Sequence, residues 1–272
     1  MVKEMEAARQ SHKRKLDEAD ALLSGLDGFL LESVGITISN EQSRSCFAVK
    51  LSQIDGPINP ERYKALKLEK NINGTVMDSV ATILEEKVCP VTKAPNEEWD
   101  WIRIDDLENR PLDVEAIRTE IGSQIEGSFF AVRENDILLA RLGPTILNQK
   151  IVLCPKTKRQ TVASSEFLVL RCKEGWNPVT VQWVLRTLIY RDLIYSKGRG
   201  GTPSRYRVNR EDLEKLPFPK IESKKQDCLA KEINKRLNQI RRLREEAARE
   251  WDAAKAKFEA KLLGVEIDNE SA

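Results

Sequence analysis

The stretch that most constrains this chain is Ser223–Leu263, about 41 residues without a glycine or a proline. It is built from Ala, Glu, Lys, Arg and Leu, the strongest helix formers. Pro217 and Pro219 forbid helix just before it, and Gly264 is a good stop just after. At ~1.5 Å per residue the helix runs roughly 60 Å. That length suits a coiled coil or a spacer better than an ordinary globular helix. Leu229, Ile233, Leu237, Ile240, Ala247, Trp251, Ala254 and Phe258 recur at helical spacing. They form a narrow apolar seam, interrupted by Arg244. Such a seam requires a partner.

The sequence offers one at its other end. Val2–Val34 reads as a second long helix of roughly 50 Å, weakened in its last third by Gly25 and Gly28. Ala8, His12, Ala19, Leu22, Leu26 and Phe29 keep the spacing of three and four. The two helices also end alike. Phe29…Val34-Gly35-Ile36-Thr37-Ile38 and Phe258…Leu263-Gly264-Val265-Glu266-Ile267 agree at the aromatic, the glycine and the apolar residues around it. A duplicated unit is expected: helix, globular domain, helix.

Between the helices the composition changes. Glycine, proline, asparagine and β-branched residues appear, and segments shorten. Strands are expected at Asp100–Ile104, Phe129–Val132, Asp136–Arg141, Lys150–Cys154 and Glu166–Arg171, and a helix at Thr180–Tyr195. The expected fold class is α+β. A long helix covers 1–35, a mixed domain covers 36–222, a second long helix covers 223–264, and a short tail covers 265–272. The helices are expected to pair as an antiparallel coiled coil through Leu22, Leu26, Phe29, Ile233, Leu237, Ile240, Trp251 and Phe258.

Composition excludes several classes. No apolar run among the 272 residues approaches the ~20 needed to span a membrane. The charged N-terminus lacks the apolar core of a signal peptide. Five scattered cysteines, without a C-x-x-C pair, fit free thiols in a reducing cytoplasm better than a disulfide framework or a zinc site. The net charge is only +2. Affinity for a polyanion must therefore come from local clustering.

One such cluster exists. Arg186–Arg210 holds seven cations against Asp192, a net +6. Within it lies Lys197-Gly198-Arg199-Gly200-Gly201-Thr202-Pro203-Ser204-Arg205. Glycines let a backbone approach phosphate closely, and arginines neutralise phosphate or grip guanine edges. The same loop can also be read as merely solvated and basic. It is not a nucleotide-binding P-loop, because the order of glycine, lysine and hydroxyl residue is wrong. A second candidate is the strand ending in Arg141 and its Gly143-Pro144 turn, with Thr145 and Lys150 just beyond. A third polar patch is Thr161–Glu166.

Catalytic machinery is not evident. The sole histidine, His12, lies on the helix seam, so a Ser–His or Cys–His system has no base in the globular domain. No His/Cys cluster has zinc spacing. The Asn/Asp-Pro-Pro-aromatic motif of adenine methyltransferases is missing. The residues read as a recognition protein with no catalytic residue and no metal ligand.

Four stretches resemble the specificity subunit of type I restriction–modification systems. Asn135–Arg141 resembles the family's Gly-Asp-Ile-Leu-Phe-Ala-Arg strand, with Asn135 where glycine is usual. Ala163–Leu170 is similar to its Ser-Ser-Glu-Phe strand. Gly200–Arg207 resembles its glycine- and threonine-containing basic loop. Leu213–Pro219, followed by Gln226 and Ile233, resembles the lead into a long conserved helix, although Lys225 replaces the usual acidic residue. The resemblance implies target recognition domains alternating with antiparallel spacer helices. It implies double-stranded DNA as ligand, each domain reading half of a bipartite site. It also implies modification (methyltransferase) subunits docked on the helices, with S-adenosylmethionine on those partners and no cofactor on this chain, and a restriction/translocase subunit that joins them. Candidate DNA-binding residues are then Arg141, Thr145, Lys150, Lys197, Arg199, Gly200, Gly201, Thr202, Ser204, Arg205 and Arg207. The chain has room for one recognition domain where the family has two. It is either part of a longer subunit or a half-subunit that pairs as a homodimer. The competing expectation is an interaction scaffold whose globular domain binds protein rather than DNA.

Overall fold

The structure, a computed structural model, describes residues 2–36, 77–86, 95–114, 117–125, 127–200 and 202–263. The chain is mixed α and β, with a long helix near each end. It divides into two compact units: residues 1–28 with 231–272, and residues 29–230.

The first unit is a helical pair. α1 covers Val2–Ser33 and α7 covers Ser223–Leu263. Cross-helix contacts run from Glu4–Lys261 (2.9 Å) through Lys15–Glu250 (2.6 Å) and Lys15–Glu246 (3.2 Å) to Asp20–Arg244 (3.3 Å). Residue numbers rise on one helix as they fall on the other, so the helices are antiparallel. Ala19 and Leu26 on α1, and Ile233, Leu237, Ile240 and Ala247 on α7, are buried. Leu22, Trp251 and Phe258 are half-buried. The single histidine stacks across the pair on Trp251, with ring centroids 5.5 Å apart. Arg244, the interruption in the seam, is matched by Asp20 of the opposite helix.

The end of α1 belongs to the second unit, and Phe29 lies there rather than in the helical pair. Its stop is a Schellman motif. Ile36 N donates to Leu31 O and Gly35 N to Glu32 O, satisfying carbonyls that the helix leaves open. Gly35 has φ +75, which glycine adopts without strain. Ile36 and Leu31 are both buried. The matching positions after Leu263, the 265–272 tail and much of 36–94 lie outside the described residues.

The second unit contains two four-stranded sheets and a two-stranded ribbon. Its elements are β1 (Met77–Ser79), α2 (Val80–Ile83), β2 (Leu84–Glu86), β3 (Glu98–Ile102), β4 (Arg118–Ile121), β5 (Phe129–Val132), β6 (Ile137–Ala140), α3 (Gly143–Leu147), β7 (Ile151–Leu153), β8 (Thr161–Ser164), β9 (Phe167–Cys172), α4 (Pro178–Arg186), α5 (Leu188–Ser196), a 3-10 turn (Pro203–Arg205), α6 (Arg210–Glu214) and β10 (Pro217–Pro219). One sheet has the order β2-β9-β6-β7 and the other β4-β3-β8-β5, in which β3 and β8 run parallel. The ribbon pairs β1 with β10.

Alternation along the strands assigns their faces. Ile102, Val132, Leu138, Ala140, Val152, Ala163, Phe167 and Val169 form one core shared by both four-stranded sheets. Trp99, Phe129 and Val162 form a second cluster on the opposite face of β3-β8-β5. The other face of β6-β7-β9 is covered by α4, which packs on β7 and β9. β6 is therefore buried on both faces, as its unbroken run Ile137-Leu138-Leu139-Ala140 requires. Fully burying each large aliphatic contributes about 1.5–3 kcal/mol, so this central strand is a rigid support for Arg141 at its end.

The expected helix Thr180–Tyr195 is two helices. Thr187 adopts φ −54, ψ 152 and separates α4 from α5. The carbonyl of Arg186 is taken by Gln149 Nε2 at 2.7 Å instead of by the next turn.

Candidate functional site

Three of the stretches singled out in the sequence meet at one place. Arg141 follows the buried β6, and Glu166 sits in the turn between β8 and β9. Arg141 N donates to Glu166 O at 3.0 Å. The loop after α5 then joins them. Val208 N donates to Arg141 O (3.0 Å) and Gly143 N donates to Tyr206 O (2.8 Å). Leu142 and Arg207 form an antiparallel bridge, and so do Arg199 and Arg207. Residues separated by as many as 68 positions are thus stitched together by main chain and side chain.

Gly200 allows the loop to close. A Cβ there would lie 2.6 Å from Arg205 O, so no other residue fits without opening the turn. Tyr195 and Tyr206, on either side of the loop in sequence, pack with ring centroids 5.9 Å apart. Gly201 lies outside the described residues.

The side chains on this platform are mostly paired. Arg207 forks onto Glu166, with Nη2–Oε1 at 2.7 Å and Nε–Oε2 at 3.3 Å. Arg199 Nη2 donates to Asp212 Oδ1 at 2.6 Å, with Asp212 buried and the Arg199 side chain 67% exposed. Arg141 Nη2 donates to Asn209 Oδ1 at 2.6 Å, and its buried Nε has no hydrogen-bond partner among the described residues. Arg210 pairs with Glu214. At the tip, the Thr202 and Ser204 hydroxyls share a 3.1 Å hydrogen bond. Arg205 is exposed and makes no side-chain hydrogen bond or ion pair among the described residues. Lys197 caps the end of α5.

Two expected site residues turn toward the fold. The Thr145 hydroxyl donates to Leu142 O at 2.7 Å, in the first turn of α3. Lys150 Nζ donates to Ile104 O at 3.0 Å.

The net +6 expected for Arg186–Arg210 is corrected in two ways. Arg186 is buried, donates to Pro111 O and stacks over Trp183 at 4.5 Å, so it is a packing residue. Glu166, Asp212 and Glu214 lie against three of the other arginines. Sequence reading missed these acidic partners and Asn209. The only signal was that Glu166 ends a polar patch noted for other reasons.

Burial, with Asp136 nearby, pushes the thiols of Cys154 and Cys172 up to about 12. Both stay protonated at neutral pH and are poor nucleophiles. Among the described residues no group of three or more His, Cys, Asp and Glu could hold a metal ion, and no helix is long and apolar enough to cross a membrane.

No family model matches the chain, and no curated protein matches it. Solved structures do. The chain is similar to one in a structure of complex assembly and conformational transition of the type I R-M system. Identity is 16%, the TM-score is 0.48, and the match covers 73% of this chain and 51% of that one. The HsdS subunit from Thermoanaerobacter tengcongensis is matched at 10% identity and a TM-score of 0.49, over 94% of this chain and 54% of that one. The structural neighbours of this chain are thus an HsdS specificity subunit and a type I R-M system chain, and it spans about half the length of each.

Proposed function

We propose that this chain recognises double-stranded DNA sequence as the specificity component, or half of one, of a type I restriction–modification complex. The carrying observation is the convergence of Arg141, Glu166 and the Gly200–Arg207 loop. These belong to three separate stretches that resemble the family, and they adjoin in space through main-chain hydrogen bonds and the Arg207–Glu166 pair. In this reading the chain itself is non-catalytic. The antiparallel helices serve as spacer and as docking surface for methyltransferase subunits. A second domain or a second copy reads the other half-site.

The test measures duplex binding by the full chain, alone and with a type I modification subunit, from about 50 to 200 mM salt. Affinity is expected to fall steeply as salt rises, as for several phosphate contacts. Arg205→Ala is expected to weaken binding to all duplexes. An absence of duplex affinity at low salt in both settings rejects the proposal. Capture of the modification subunit without any DNA binding would favour the scaffold reading.

A further inference from the structure

We infer that Arg207 reads a guanine in the duplex and that Glu166 is the residue that positions it, an inference that rests on the function proposed above. A guanidinium carries five N–H groups in a fixed plane. Glu166 occupies one side edge of Arg207, through Nε and Nη2. The end edge, where Nη1 and Nη2 point in parallel, has no hydrogen-bond partner among the described residues. The Arg207 side chain is 54% exposed. Two parallel N–H donors match the O6 and N7 acceptors that guanine shows in the major groove.

Orientation is what separates a base reader from a phosphate contact. Arg207 is held at both levels. Its backbone bridges to Leu142, at the end of the β6 support, and to Arg199, and its guanidinium is held by a carboxylate. Little rotamer freedom remains to be lost on docking. Arg205, two residues away, is the opposite case. It sits on a 3-10 turn, exposed, with no side-chain partner among the described residues. An exposed, untethered cation suits a phosphate, which presents charge with little directional demand. The loop therefore divides the work: Arg205 neutralises the backbone and Arg207 reads the groove.

The test uses the full chain and a pool of randomised duplexes. The preferred duplex is selected first. Each guanine in it is then replaced by adenine, with pairing maintained, or by 7-deazaguanine, which lacks N7. For the unaltered chain, one guanine position is expected to lose roughly ten- to a hundred-fold in affinity on replacement by adenine. Arg207→Ala should flatten the preference at that position and leave the salt slope unchanged. Glu166→Gln should relax the same position by a smaller factor, with the slope again unchanged. Arg205→Ala should weaken every duplex alike and reduce the slope by about 0.9. A merely structural Glu166 would alter thermal stability without singling out one base position.

If Arg207→Ala lowers all duplexes equally and reduces the slope, Arg207 is a phosphate contact and the inference fails. If sequence preference is untouched by Arg207→Ala, the inference fails while the proposed function stands. If the unaltered chain has no duplex affinity at low salt, both fail.

Discussion

Asn135 shows how a single backbone angle reconciles a departure from pattern with the fold. Glycine is usual there in the sequences this strand resembles, and Asn135 has φ +68. Glycine adopts this left-handed conformation freely, asparagine and aspartate more readily than other residues, and a β-branched side chain least of all. Asn135→Gly should leave the melting temperature nearly unchanged. Asn135→Val should lower stability by about 1–2 kcal/mol, read by thermal or urea unfolding. Next to it Asp136 is fully buried. It accepts from Arg171 Nε and Nη2 at 2.7 and 2.8 Å and from Arg133 N at 3.0 Å. Arg171→Met would strand a buried carboxylate, at a cost of about 3 kcal/mol. A urea midpoint that does not move would contradict this. Both features were half legible. The strand pattern located Asp136, but its partner on β9 could be known only from the strand pairing.

Among the elements, legibility followed periodicity. The two long helices and Phe129–Val132 follow from spacing and residue type, and the other four expected strands lie within two residues of observed ones. What spacing does not encode was lost. β4, Arg-Thr-Glu-Ile, is largely exposed and has no apolar alternation to show. β10, Pro-Phe-Pro, breaks strand propensity, yet in its antiparallel ribbon Phe218 is the residue opposite Asp78 and the prolines fall on alternate positions. The break at Thr187 has neither glycine nor proline to announce it. At the site, the basic loop was legible from composition. Its acidic partners were not, because Glu166 reaches it through the fold.

The helical pair carries its own pH dependence. Hydrogen bonding to Lys15 holds the Glu250 and Glu246 carboxyls below their ordinary value of 4.5, and these bonds raise Lys15 above 10.5. Depressed carboxylates contribute stability above the unfolded value and lose it as pH falls through the folded one. The raised lysine contributes below 10.5 and is lost as pH rises beyond it. Pairing should therefore be firmest between these limits and loosen on acidification below about 4.5. Far-UV circular dichroism of the full chain should show helix loss in that window. Lys15→Met should remove part of the acid dependence. An identical acid titration in that variant would contradict the assignment.

At the scale of the molecule, the start of α7 is held by the globular unit before the helix joins the other unit. Gln226 is buried. It accepts from Asn177 N at 2.7 Å and donates to Ile221 O at 2.8 Å and Gly175 O at 3.2 Å, while its carbonyl accepts from Thr180 Oγ1 at 2.7 Å. Gln226 is the residue the resemblance picks out at the head of the helix. Its amide anchors the first turns of α7 to that unit, which extends to Ala230.

The ion pair between Glu4 and Lys261 has a topological consequence. It puts the first turn of α1 beside the last turn of α7, so residues 2 and 263 can be linked and the chain opened elsewhere. Joining residue 263 to residue 2 with about ten Gly/Ser residues, a reach of roughly 17 Å, and opening the chain between the exposed Lys158 and Arg159 gives a circular permutant. It should fold with the same far-UV spectrum and melt within a few degrees of the parent. In such a permutant the helical pair becomes an internal hairpin, with part of the sheet unit before it in sequence and part after it, without altering a single contact between α1 and α7.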